Sequence, residues 1–143
     1  MLVSKDIIAY QTKTNKVTGS SYKEIAHDVR LAYKKIANLT KRDAYIRSAY
    51  FKKDKIFLKL FWVHLHQQPM YSQKRRLQFF NCAIDLLRHS TNSPETLPNP
   101  NGRNELVHRF AGVTSAGERF YVQVKQELRS GKKYFMSVFP DTK

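Results

Sequence analysis

Two histidines two residues apart, His64 and His66, lie in a run rich in aromatic and branched side chains, Phe61-Trp62-Val63-His64-Leu65. In an extended strand, side chains two apart share a face. A pair of imidazoles that titrate near neutral pH suits general acid–base work. Imidazoles also bind metals, but no convincing third ligand accompanies these two, which argues against a zinc site. His108 falls on an apolar strand face and reads as a core histidine with its polar atoms satisfied. His27, inside a helix, and His89, at a helix end, make no such pattern.

The C-terminal forty residues add cations and hydroxyls. Residues 106–113, 119–126 and 133–139 alternate as strands, separated by the turns Thr114-Ser115-Ala116-Gly117 and Arg129-Ser130-Gly131-Lys132. One face collects Leu106, His108, Phe110, Phe120, Val122, Val124, Tyr134, Met136 and Val138, and is expected to pack on helices. The other collects Val107, Arg109, Ala111, Arg119, Tyr121, Gln123, Lys125, Lys133, Phe135, Ser137 and Phe139. Cations hold phosphates and rings stack on splayed bases, so this second face suits RNA. An ordinary solvated face shows the same alternation; the argument for a site is that all three strands present such residues together.

Further cations lie upstream. Arg75 and Arg76, with Lys74, crowd the first turn of an expected helix, where positive charge is unfavourable unless anions are near; they could clamp a phosphate or be plain exposed arginines. Lys59 sits in an otherwise apolar expected strand and must reach an edge or a phosphate, because a lone buried ammonium is costly. Other chemistries lack their residues. There is no Gly-rich loop before Lys-Ser or Lys-Thr and no Gly-x-Ser-x-Gly turn. Gln123-Val124-Lys125 has Gln where metal-dependent nucleases carry an acid, and few carboxylates are present for a two-metal site.

Composition agrees. The chain has 143 residues with 26 Lys and Arg against 11 Asp and Glu, a formal charge of +15. Such an excess opposes compaction and points to a polyanionic partner, nucleic acid above all. Aromatic residues at 13% indicate a folded chain. The single Cys82 excludes an internal disulfide and any Cys-pair zinc site. The first ten residues have no apolar core of a secretory signal, and apolar runs fall short of the roughly 18 residues of a membrane helix, so a cytoplasmic protein without a membrane partner is expected, delivery into another cell remaining open.

The elements that must position these residues follow from pattern. Residues 1–19 are polar and expected to be flexible. Ser21-Tyr22-Lys23-Glu24 forms a capping box, followed by Tyr22, Ile25, Ala26, Val29, Tyr33 and Ile36 at helical spacing, which predicts a helix to about residue 38. Residues 45–65 are expected to form a hairpin with a polar turn at 52–55. A second helix is expected over 72–89, and 90–104, with three prolines and a glycine, reads as a long loop. The sum is one α+β domain over residues 1–143, in the order α-β-β-α-β-β-β, with helices and a hairpin packed on a C-terminal antiparallel meander.

In Arg109-Phe110-Ala111-Gly112, Gly117-Glu118-Arg119-Phe120-Tyr121-Val122-Gln123-Val124-Lys125 and Lys133-Tyr134-Phe135-Met136-Ser137-Val138-Phe139-Pro140, the chain resembles the barnase–EndoU–colicin–RelE superfamily of nucleases, in particular its phage-associated branch. Phe61-Trp62-Val63-His64-Leu65 fits less sharply. The resemblance implies a metal-independent, toxin-type endoribonuclease that uses the RNA 2′-hydroxyl as nucleophile and needs no cofactor. It also implies a Ser or Thr two residues before an aromatic on the last strand, matched by Ser137-x-Phe139 with Phe where Tyr is common. His64 and Lys125 are the nearest matches for the histidine and the cation, and no second histidine is placed. In the RelE-like branch Arg and Lys carry more of the work, which Arg109 and Lys125 could do.

The expected catalytic set is therefore His64, Arg109, Lys125 and Ser137, with Lys59, Arg75, Arg76, Arg119, Tyr121, Lys133 and Phe139 contacting RNA and no metal bound. The expected partners are RNA and an acidic antitoxin or immunity protein. A non-catalytic RNA- or DNA-binding module and a metal-dependent DNA nuclease are the alternatives.

Overall fold

A computed structural model describes residues 7–141. Its elements, in chain order, are β1 (Tyr10–Gln11), α1 (Tyr22–Asn38), β2 (Tyr45–Arg47), β3 (Lys55–Phe57), α2 (Lys59–His66), α3 (Met70–Gln78), α4 (Phe80–His89), β4 (Glu95–Pro98), β5 (Glu105–Val113), β6 (Arg119–Glu127) and β7 (Lys133–Pro140). The class is α+β, and the C-terminal β5-β6-β7 meander is the one the alternation predicts.

The strands form one mixed sheet in the order β1-β5-β6-β7-β3-β2, with β4 sharing the free edge of β5 alongside β1. Two pairings are parallel, β1 with β5 and β3 with β7; the rest are antiparallel. Gly117 (φ 90°) and Gly131 (φ 74°) supply the left-handed residues that the two hairpin turns require.

Helix α1 starts at Ser21, whose hydroxyl accepts from the Glu24 amide, while the Glu24 carboxylate reaches back to the Ser20 amide and hydroxyl. The expected return arm of the hairpin is strand only as far as Phe57. Leu58, Phe61 and Leu65 then point into the core at helical spacing as α2 forms. The expected helix over 72–89 is two helices, broken at Phe79. At the break two consecutive rings enter the core, Phe79 against Phe120 (5.3 Å) and Phe80 against Phe61 (5.3 Å). The expected loop 90–104 contains β4.

The described part of the N-terminal stretch, expected to be flexible, is built into the fold from β1 onward; residues 1–6 lie outside the described residues. Asp85, nearly buried on α4, accepts hydrogen bonds from the Tyr10 hydroxyl (3.1 Å) and the backbone amides of Lys13 (2.7 Å) and Thr14 (3.3 Å), and meets His89 Nδ1 at 2.9 Å. Burial opposes its charge, but these donors outweigh it and hold the carboxyl below its ordinary value. Burial and the same carboxylate push the Tyr10 phenol up to about 12.

The core lies between the helices and one face of the sheet. Phe61 stacks on Phe135 at 4.7 Å, and Val122, Val124 and Val138 complete that face. A Cβ at Gly112 would lie 2.4 Å from the Phe120 ring and 2.9 Å from Leu86, so only glycine allows strand and helix this close an approach.

β7 carries a bulge. Ser137 pairs with Gln123, but Phe135 pairs with Val124, leaving Met136 as the extra residue. Alternation is therefore reset, and the expected faces of residues 133–135 are exchanged. Phe135 is in the core and Tyr134 joins the opposite face, beside Lys125 and Phe57.

Candidate functional site

The sheet face turned away from the core carries a polar row across four strands. Glu95 of β4 pairs with Arg109 of β5, Arg109 with Gln123 of β6, and Gln123 with Ser137 of β7. Directly paired residues point to the same side, so these side chains meet. The Gln123 amide satisfies both neighbours when its oxygen accepts from Arg109 Nε (3.2 Å) and Nη2 (2.6 Å) and its nitrogen donates to Ser137 Oγ (2.9 Å). Arg109 and Ser137 are only 9% and 8% exposed, so this chain forms the floor of the site.

Two flanking rows complete the face. On one side Tyr121 and Phe139 pair across β6 and β7, their rings 5.7 Å apart. The guanidinium groups of Arg109 and Arg76 stand 5.4 and 5.7 Å from the Phe139 ring. Tyr121 donates to Asp141 Oδ2 at 3.1 Å, and Arg119 Nε lies 3.9 Å from the same oxygen. On the other side Lys125 pairs with Tyr134, its ammonium 5.3 Å from the ring centroid and 3.3 Å from Glu105.

Helices α2 and α3 form the wall. β3 accompanies β7 only as far as Tyr134, and both helices pack along β7. On α2, Phe61 and Leu65 turn inward, while His64 is half-buried within electrostatic range of Lys125 and Arg76. Burial lowers the His64 pKa below the ordinary histidine value, and the charges of Lys125 and Arg76 lower it further. The imidazole is thus mainly neutral at pH 7, the form that accepts a proton.

The geometry brings together His64, Arg76, Arg109, Lys125, Ser137, Tyr121 and Phe139 of the expected set. Arg119 lies at the outer end of the same face. Arg75, one residue round α3 from Arg76, is exposed and directed elsewhere. Lys59 begins α2, rather than sitting within a strand, and stays at the rim near Lys125. Lys133 is the clear correction. The bulge puts it on the core side, buried, with its ammonium 2.8 Å from Asp54, 3.1 Å from the Gly131 carbonyl and 4.9 Å from the Phe51 ring centroid. It is a structural ion pair and does not belong to this face.

His66 does not share a face with His64. On a helix, two residues span about 200°, and His66 is exposed near Trp62. His108 is structural, as its place on the apolar face implies. With its Nε2–H donating to Gln126 Oε1 (2.7 Å) and its Nδ1 accepting from Thr96 (2.7 Å), the neutral ring is fully satisfied.

Sequence reasoning assigned no role to Gln123, although its position between Arg109 and Ser137 on the alternating face was a usable signal. Tyr134 was hidden by the bulge. Glu95 was hidden because four residues of a Pro-rich stretch gave no strand pattern. Among the described residues, no three His, Cys, Asp or Glu side chains gather into a group that could hold a metal ion, and no helix is long and apolar enough to cross a membrane.

Comparison of the chain with models of known families, with curated proteins and with solved structures gave no match.

Proposed function

We propose that this protein is a metal-independent endoribonuclease of the toxin type, acting on RNA in a cytoplasm and held in check by an acidic antitoxin or immunity protein. One observation carries the reading: half-buried His64 lies within electrostatic reach of Lys125 and Arg76, beside a sheet face on which Arg109, Gln123 and Ser137 are linked by hydrogen bonds. Neutral His64 accepts the proton of a ribose 2′-hydroxyl. The resulting oxygen attacks the adjacent phosphorus, the bond to the 5′-oxygen breaks, and that oxygen takes a proton from water. The products are a 2′,3′-cyclic phosphate and a free 5′-hydroxyl. Lys125 and Arg76 neutralise the charge that builds on the phosphoryl oxygens, and Arg109 and Ser137 hold the floor polar and positive beneath it. Tyr121 and Phe139 flank the path of the strand.

Incubation of an unstructured RNA with the protein in EDTA tests this. Cleavage to cyclic-phosphate ends is expected, with DNA of the same sequence left intact because it lacks the nucleophile. Lys125→Ala and Ser137→Ala should each lower the rate at least about 100-fold, the usual order for a lost electrostatic or acid–base contribution, while circular dichroism stays unchanged. Cleavage that needs magnesium, or full activity in both variants, refutes the assignment.

A second reading, a non-catalytic RNA-binding module, is favoured by one observation. Arg109 and Ser137 already bond to Gln123, and the other four histidines sit on other parts of the described structure. Tight RNA binding with no cleavage in the same assay would select it.

A further inference from the structure

Next to His64 and Lys125 the same face opens into a cavity of about 270 Å³ between α2 and the sheet. Its walls are the rings of Tyr134 and Phe57 on one side and Leu60 and Val63 on the other, with Lys59, Lys125 and Lys132 and the single acid Asp43 around it. Val63 is 48% exposed, so its side chain is open to an occupant of the cavity. The two rings lie 6.0 Å apart and tilted by 38°, and the Lys125 ammonium sits above Tyr134. An apolar slot with an aromatic wall and a rim of three lysines against one aspartate suits a splayed base with its phosphates.

We propose that this cavity is a nucleobase subsite, which receives the base of the nucleotide next to the phosphate held at Lys125. The occupant stacks on Tyr134 and Phe57, Val63 closes over its other face, and Lys59 and Lys132 meet the flanking phosphates. Lys125 is shared by cavity and site, so a seated base would fix which phosphodiester lies under His64. This subsite rests on the RNA reading of the face, but needs no cleavage.

The test uses fluorescence anisotropy with a labelled 2′-O-methyl RNA octamer, which cannot undergo 2′-hydroxyl attack, and an abasic octamer with the same backbone. The wild type is expected to bind the base-bearing octamer about tenfold tighter than the abasic one, the order of a stacked base. Val63→Trp, which fills the cavity from a half-exposed position, is expected to erase that difference and leave the abasic affinity unchanged. Equal affinity of the wild type for both octamers overturns the subsite alone, as does a preference that persists in Val63→Trp. Failure of both octamers to bind overturns the subsite together with the RNA reading. Absence of cleavage alongside a preference for bases leaves the subsite standing and removes only the catalytic step.

Discussion

His64 and His108 show how one residue type takes opposite roles. Both have lowered pKa values with burial as the main cause. His64 is then pushed further by two cations and keeps a half-exposed ring. Its ring protons, followed by NMR, should titrate below the roughly 6.5 of a free histidine, and Arg76→Gln should move the midpoint upward. An unmoved midpoint would separate Arg76 from the site. His108 is instead locked between Thr96 and Gln126. Burial lowers its pKa, the Gln126 hydrogen bond opposes that, and the Lys133 charge adds to the lowering. The unfolded chain therefore binds a proton that the folded one refuses. Stability from this residue is complete above about pH 6.5 and declines as pH falls below it, until the folded ring also protonates. Urea denaturation at pH 7 and pH 5.5 should show this loss, and His108→Gln should show less of it.

At the scale of elements, close approach governs. Gly112→Ala forces a methyl into the Phe120 ring and Leu86. It should cost about 1–3 kcal/mol, as overpacking usually does, read as a lower urea midpoint with an unchanged slope. The three long strands and α1 were legible in the sequence, because each has a clean period and a capping or turn signal. The rest was not, for identifiable reasons. Phe61 and Leu65 belong to a helix that Leu58 caps, but the residues among them are aromatic and branched, so the segment reads equally as a strand. The break at Phe79 leaves no mark in the sequence, because no Gly or Pro stands there. Tyr134 and Lys133 changed sides because a bulge leaves no mark in a run of alternating residues. The site survived these errors in part. Arg109, Gln123, Lys125 and Ser137 lie on the stretches where alternation held, whereas Arg76 and His64 reach the face by helix packing.

For the whole molecule, the +15 charge is the dominant quantity. Its ion pairs use few of the cations: Lys16 with Glu118, Lys125 with Glu105 and Lys133 with Asp54 are the lysine pairs among the described residues. Affinity for single-stranded RNA should therefore fall steeply with salt. Engagement of roughly four phosphates gives a slope of log affinity against log salt of about −3. Lys125→Gln should flatten it by about 0.7, the share of one phosphate. A slope near zero would mean that the charge serves something other than a phosphate backbone.

The extra residue in β7 has a consequence for how the gene can change. Loss of one residue from the middle of a strand ordinarily inverts one half against the other. Here the codon for Met136 can vanish while Phe135 keeps Val124, Tyr134 keeps Lys125 and Ser137 keeps Gln123. The strand would become regular and lose its local kink, yet each neighbour across the ladder would be retained. Met136 is thus a position at which β7 is expected to shorten without exchanging its two faces.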